Sequence, residues 1–403
     1  MVEGYQNLRQ HRRPIPTEEA AKVEPSPKAE DTAPQISELQ PPAQENISSP
    51  RKGKVEVIAE LSANHKQDLD LAFRTLRAMA EAGADAIKLQ SYDAQSLTLP
   101  LEQPPFIIEK SETSSTPWDG RSLHSLYSEA AMPWDWHKPL YKLADQLGLE
   151  IFSTPFCLHG VDFLEQLETP RYKIASFEIG HLELVRRVAA TGKPIIASLG
   201  IAGFRDIERF LDACEKEGNR EITLLQCTSA YPSDPSEANL AMLPHLKSTF
   251  GCRVGLSDHS MGSAVAIAAV ALGAELIEKH VILSREIGGP DAGFSLEPQE
   301  FAQMVREIRT AEAAIGEVNY RLDARKLAAR RFGRAIFVLS DMKAGERLRP
   351  ENVAVLRPHP PGAIAPQEWR RLLEMGARVC RDIPYGTASQ WHMLEWGADF
   401  ESE

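Results

Sequence analysis

Arg253-Val-Gly-Leu-Ser-Asp-His259 is a short apolar run that breaks into three polar residues at its end. Packing alone gives a buried strand no reason to finish this way. Ser257, Asp258 and His259 each need a hydrogen-bond partner or water once they are buried. Taken by itself, the stretch also reads as a strand-to-helix turn, with Ser or Asp capping a small-residue helix over 262–272. A second strand-like run, Ala274-Glu-Leu-Ile-Glu-Lys-His280, follows after one helix and also ends in histidine. Two neighbouring parallel strands of this kind set two imidazoles on one rim, where His259 and His280 could share a metal ion.

The same unit recurs on the N-terminal side. Apolar runs predict strands over 55–61, 85–90, 149–154, 171–176, 194–198, 222–228, 253–257 and 274–279. Helical periodicity is read at 69–82, 134–147, 160–167, 182–191, 204–217, 237–250 and 262–272, with 298–315 closing the series. Eight strand-helix units predict an α/β fold, a (β/α)8 TIM barrel. A doubly wound open sheet is the alternative, but no G-x-G-x-x-G or P-loop follows the first strand. The connection 91–133 is too long for a plain turn in a compact domain, and it reads as a substrate cover leaving the rim.

The predicted organisation is a disordered, Pro-rich tail (1–53), the barrel (54–318), a basic helical linker (319–333) and a small C-terminal module (334–403). In the module, strands are expected at 334–339, 354–357 and 377–382, and a helix at 367–373. A module this small is near the lower limit for a free-standing core, so it is expected to dock on something.

The 403-residue chain carries a formal net charge of −12. This argues against nucleic-acid or anionic-membrane binding through a general basic surface; an anionic ligand must be gripped by a few local cations. Five cysteines without a C-x-x-C pair suggest reduced thiols in a cytoplasmic protein. No apolar run approaches the roughly 20 residues of a membrane span.

In a barrel the reacting groups sit where strands end. Those ends carry Glu60; Lys88 and Gln90; Thr154; Lys173, Ser176 and Glu178; Ser198; Thr228, Ser229 and Tyr231; Ser257 and His259; and His280. Lysines on otherwise apolar strands are hard to explain by packing, because buried lysine is rare unless paired. With the hydroxyls, Lys88 and Lys173 suit a small phosphorylated or carboxylated anion. The two histidines suit a divalent metal acting on a carbonyl, and Glu60 and Glu178 are candidate bases. Cys227 reads as a packed small hydrophobe, and Asp258 as a group facing away from His259 that supports it or caps a helix.

Ile58-Ala-Glu-Leu-Ser-Ala-Asn-His65, Ala86-Ile-Lys-Leu-Gln90, Phe152-Ser-Thr-Pro-Phe156, Lys173-Ile-Ala-Ser176, Gly255-Leu-Ser-Asp-His259 and Ile277-Glu-Lys-His280 resemble the sialic acid synthase family of phosphoenolpyruvate-condensing barrels. Asp341-Met-Lys-Ala-Gly-Glu346, Arg357-Pro358 and Arg381-Asp-Ile-Pro-Tyr-Gly-Thr387 resemble that family's antifreeze-like (SAF, β-clip) domain. The resemblance runs in order over 55–395. Thr228-Ser-Ala-Tyr-Pro232 and Gly288-Gly-Pro-Asp-Ala-Gly-Phe-Ser295 are similar to its pseudaminate-forming branch, and Ser229 stands where neuraminate-forming members carry Asn.

The resemblance implies metal-dependent condensation of phosphoenolpyruvate with 2,4-diacetamido-2,4,6-trideoxy-L-altrose, giving a nonulosonic acid and phosphate. Neuraminate or legionaminate synthesis is the near alternative, and a catalytically silent sugar- or phosphate-binding barrel is the alternative of another class. It further implies that His259 and His280 hold Mn2+ or Mg2+, and that Lys88, Thr154, Lys173, Ser176, Ser198, Ser229 and Ser257 bind phosphoenolpyruvate. Glu60, Lys88 and Glu178 would be catalytic, and Gln90, Glu178, Tyr231, Asp291 and Arg357 would bind the amino sugar. A domain-swapped homodimer is implied too, with Arg357 of the small module reaching the partner's sugar.

Overall fold

The structure, a computed structural model, describes residues 53–109 and 118–396; apart from Gly53, the predicted tail lies outside the described residues. Eight strands, β1 (Glu56–Glu60), β2 (Ala86–Ser91), β3 (Glu150–Pro155), β4 (Tyr172–Ile174), β5 (Ile195–Ser198), β6 (Ile222–Cys227), β7 (Arg253–Asp258) and β8 (Leu276–His280), pair in chain order as a closed barrel. Every pairing is parallel, and β8 returns to β1 with Glu60 level with both Lys88 and His280. Parallel strands need crossovers, and helices supply them: α1 (Leu69–Glu81), α2 (Ala94–Leu97), α3 (Leu123–Ala130), α4 (Trp134–Gln146), α5 (Leu158–Gln166), α6 (Leu182–Ala189), α7 (Phe204–Lys216), α8 (Met242–Phe250), α9 (Ala264–Ala271) and α10 (Pro298–Ile315).

Side chains alternate along each strand, so one row faces the helices and the next faces the barrel axis. Val57, Ala59, Ile87, Leu89, Ile195 and Ile277 belong to the large core shared with the helices. Ile58, Ala86, Phe152, Ile196, Leu225 and Leu276 form a separate buried cluster, the plug inside the barrel. At the closed end Arg171 pairs with Glu56 and Glu150, and its guanidinium lies 4.4 Å from the Phe152 ring centroid. Two residues further along the plug strands stand Glu60, Lys88, Thr154, Ser198, Cys227 and Glu278. With apolar side chains beneath them, these groups can turn only towards the strand C-termini.

Gly255 occupies an axis-facing position where β7 and β8 approach closely. A Cβ there would sit 2.4 Å from the Leu276 carbonyl oxygen and 2.7 Å from Leu225 Cδ2. Elsewhere the structure departs from expectation in ways with local causes. The helix expected over 237–250 is a 3-10 turn, Pro235–Glu237, then α8, because Asn239 takes a left-handed backbone (φ 46°) between them. The connection after β2 contains α2 and α3, packed around Tyr92, Ala130 and Ala63.

The linker holds α11 (Ala324–Ala329), and the small module pairs β9 (Ala335–Val338) with β10 (Val353–Leu356) and β11 (Arg378–Val379) with β12 (Leu394–Glu395). The module's helix is α12 (Trp369–Glu374), and its core includes Ile336, Val338, Met342, Leu372 and Val379. The strand expected over 377–382 shrinks to its first part.

Candidate active site

The axis-facing positions at and just above the plug bring together two lysines and two glutamates. Lys88 Nζ lies 2.7 Å from Glu60 Oε2 and 3.8 Å from Glu278 Oε2. Lys173 Nζ lies 3.6 Å from Glu278 Oε1 and donates to Ser198 Oγ at 2.7 Å. Ser257 Oγ donates to Glu278 Oε1 at 2.9 Å, and Lys88 Nζ reaches Thr154 Oγ1 at 3.5 Å. Glu278 therefore stands between the two ammonium groups. Burial pushes its pKa up, but Lys173 and Lys88 outweigh burial and hold it below the ordinary carboxylate range. Burial lifts Glu60 to about 7 against the pull of Lys88, and the like charge of Glu278 adds to the rise. Burial also lowers the Lys173 ammonium.

Sequence alone predicts no role for Glu278. The signal was present: it shares a strand face with Leu276 and His280, two residues on either side. Lys279 faces the other way, where its buried ammonium pairs with Asp258 at 2.6 Å. Asp258 also accepts from Ser260 N (2.9 Å) and Ser260 Oγ (2.6 Å), so its contacts hold Lys279 and the turn after β7 rather than His259 itself.

His259 and His280 come together at the mouth, with ring centroids 5.3 Å apart and planes at 60°. His259 Nδ1 donates to the Thr228 carbonyl at 2.9 Å, which leaves Nε2 with its lone pair. Burial lowers His259 to about 4 and takes His280 well below its ordinary value, with His259 and Lys88 adding to the latter. Both rings are thus neutral, the form that binds metals. His280 Nδ1 is buried without a hydrogen-bond partner, 3.9 Å from Asp291 Oδ2. A fixed tautomer beside an orphaned imidazole nitrogen fits a divalent ion. Among the described residues no group of three His, Cys, Asp or Glu side chains could hold one by itself. Water or substrate oxygen would complete the coordination, as in open catalytic sites.

A third group lies on the β1, β2 and β8 side. Gln90 Nε2 donates to Glu60 Oε1 (3.0 Å) and Ser62 Oγ (2.9 Å), and Ser62 Oγ donates to Asp291 Oδ2 at 2.5 Å. Ser62 is a second residue with no role predicted from sequence; its place in Glu60-Leu-Ser62, two positions beyond Glu60, is the sign available there. Across the mouth, Ser176 and Ser229 hydroxyls are 3.0 Å apart. Glu178 is raised to about 7 by burial, and its Oε2 has no hydrogen-bond partner.

These groups surround a cavity of about 360 Å³. Lys88, Gln90, Lys173, Ser176, Glu178, Ser198, Tyr231, Ser257, His259, His280 and Asp291 all line it, as does Cys227, buried against them. Glu60, Thr154 and Ser229 stand one hydrogen bond behind the lining, through Lys88 and Gln90, Lys88, and Ser176 respectively. Arg357 is exposed at the end of β10 and does not line this cavity. The connection after β2 does contribute: Leu97, Ile108, Trp118 and Leu123 form part of the wall.

A closed (β/α)8 barrel with two buried lysines, serine hydroxyls and two neutral imidazoles in its mouth defines a class: TIM barrels whose polar site lies at the C-terminal ends of the strands. Within that class, residues 75–320 match the NeuB family, and the chain belongs to it. It is similar to the pseudaminic acid synthase of Helicobacter pylori, 44% identical over 304 residues that make up 75% of this chain and 88% of the relative. It is 34% identical to an N,N'-diacetyllegionaminic acid synthase of Campylobacter jejuni over 309 residues, 76% of this chain and 91% of the relative. Among solved structures, the N-acetylneuraminic acid synthetase of Leptospira borgpetersenii in complex with citrate superposes with a TM-score of 0.61 at 30% identity, covering 68% of this chain and 90% of that one. The family resemblance and the barrel expected from sequence both hold.

Proposed function

We propose that this chain is a nonulosonic acid synthase that condenses phosphoenolpyruvate with 2,4-diacetamido-2,4,6-trideoxy-L-altrose, giving a pseudaminic-type acid and phosphate. The observation that carries this reading is the convergence of Lys88 and Lys173 in a buried pocket beside two neutral imidazoles, in a chain 44% identical to a pseudaminic acid synthase. Lys88 and Lys173 hold the phosphate with the hydroxyls of Ser176, Ser198 and Ser257, while Thr154 and Ser229 position those partners from behind. Gln90, Glu178, Tyr231 and Asp291 bind the sugar.

Carbon 3 of the enol attacks the aldehyde carbon, which forms the new C–C bond and leaves positive charge at carbon 2. Water adds there, its proton passing to a carboxylate, and the C–O bond to phosphate then breaks. Glu60, poised near 7, is the base for that water, and Glu178 can move a proton at the sugar. A Mn2+ or Mg2+ ion held by His259 and His280 would polarise the aldehyde oxygen.

The small module is proposed to be an SAF domain that serves the neighbouring subunit of a domain-swapped homodimer, with Arg357 reaching the partner's sugar. Support comes from the exposure of Arg357 and its absence from this chain's own pocket lining. A cytoplasmic setting is supported by five free cysteines, and no helix among the described residues is long and apolar enough to cross a membrane.

The test is phosphate release on mixing the protein with phosphoenolpyruvate, a divalent metal and, separately, the pseudaminate, legionaminate and neuraminate precursor sugars. Release with the altro-configured diacetamido sugar is expected. Preference for either other sugar reassigns the branch, and no sugar-dependent release returns the silent-barrel alternative.

A further inference from the structure

Three residues of the turn after β1 hold a left-handed backbone although none is glycine: Ser62 (φ 47°), Lys66 (φ 48°) and Gln67 (φ 56°). An L side chain crowds the backbone in that region, so such a residue persists only where its surroundings hold it there. At position 62 the holding is done by other groups. Asn64 N donates to the Leu61 carbonyl at 3.1 Å, and Asn64 Nδ2 donates to the Val281 carbonyl (3.0 Å) and to Ser295 Oγ (2.8 Å). The loop that carries Asp291 is braced by the same Asn64 and, from the connection after β2, by Trp118 Nε1, which donates to the Pro290 carbonyl at 2.9 Å. Glycine would meet the geometry at position 62 more easily than serine does.

What the serine adds is a hydroxyl in the cavity, which it lines. Ser62 Oγ accepts from Gln90 Nε2 and donates to Asp291 Oδ2, whose other donor is Ala63 N at 3.3 Å. Glu60 Oε1 takes the second Gln90 N–H. With both amide protons engaged, Gln90 has only its Oε1 to offer a ligand. Asp291 likewise keeps Oδ1: among the described residues no hydrogen bond reaches it. One hydroxyl thus sets the direction of two acceptors, one at the end of β2 and one in the loop after β8, a pair suited to the O–H and N–H groups of an amino sugar.

We infer that Ser62 is a positioning residue for the amino-sugar half of the site: its hydroxyl aligns Gln90 with Asp291, and the crowded backbone at this position is the cost of placing that hydroxyl there. This role rests on the synthase reading and deepens it. Ser62 acts through Gln90 and Asp291 and has no contact with Lys173, Ser198 or Ser257, so it separates sugar binding from phosphoenolpyruvate binding.

The experiment measures KM for the amino sugar and for phosphoenolpyruvate, together with thermal midpoints, in Ser62→Ala and Ser62→Gly proteins, using the sugar that the wild type turns over best and saturating metal. Both variants lose the hydroxyl, but alanine keeps the crowded Cβ and glycine is relieved of it. The glycine protein should therefore melt higher than the alanine protein. Both should nevertheless raise the sugar KM roughly tenfold, as loss of buried hydrogen bonds does, while the KM for phosphoenolpyruvate stays at its wild-type value. A role confined to the fold would make the sugar KM follow stability, with the glycine protein near wild type and the alanine protein impaired. That pattern, a sugar KM unmoved in either variant, or an equal rise in both KM values overturns this inference and leaves the synthase standing. No turnover of any amino sugar by the wild type removes the synthase reading, and the inference with it.

Discussion

Glu278 is the residue on which the proposed anion site turns. It is the counter-ion of two buried ammonium groups, 3.6 Å from one and 3.8 Å from the other. Removing one partner of a buried ion pair leaves an uncompensated charge and costs about 3–5 kcal/mol. Glu278→Gln should therefore lower the thermal midpoint of the ligand-free protein by several degrees. Phosphate, binding the native state, should restore more of that loss than it adds to the wild type. Equal midpoints for variant and wild type without ligand would contradict the role. His259 and His280 were readable as a pair because each ends a run of apolar residues. Glu278 sat inside such a run, and only the neighbouring lysines explain why a carboxylate is tolerated there.

Among the elements, β7 and β8 matter most, since they carry Ser257, His259, Glu278 and His280. Their separation depends on Gly255. An added methyl at 2.4 Å from a backbone oxygen cannot be relieved by a rotamer change. Gly255→Ala should thus cost about 1–3 kcal/mol by denaturant unfolding and also reduce turnover, because parting the strands moves both imidazoles. A variant with wild-type stability and turnover would refute the account. All eight strands could be read from apolar runs between Gly- or polar-bounded turns, even β4, which keeps only Tyr172–Ile174. The wall elements α2 and α3 could not: they are short, flanked by proline, and held by tertiary contacts such as Tyr92 on Phe156 rather than by periodicity.

For the whole molecule, burial of histidine sets the response to acid. His65, His137 and His259 are each lowered to about 4 by burial, against 6.5 unfolded. Between those values the unfolded chain binds protons that the folded chain does not, so stability rises with pH across the window. It is fully present above 6.5 and is lost as pH falls towards 4, on the order of 3 kcal/mol per group. Glu60 and Glu178, raised to about 7 by burial, hold protons that the unfolded chain releases and so oppose part of this loss over the same window. The thermal midpoint of the metal-free protein should still fall from pH 6.5 to 4.5, and His65→Phe should shallow that fall; a midpoint that rises on acidification would refute this. If subunits share sites, inactive Arg357→Ala and His259→Ala proteins should regain part of their activity when co-assembled, whereas sites confined to single chains would recover none. The chain alone determined the barrel and the roll of polar strand ends, because alternation and the change from apolar to polar along one face are local properties. Only the closed structure decided that Glu278 stands between Lys88 and Lys173 and that the connection after β2 lines the same cavity. Those distances depend on how the strands are staggered around the ring and on a connection anchored by Trp118, neither of which is written in any one segment.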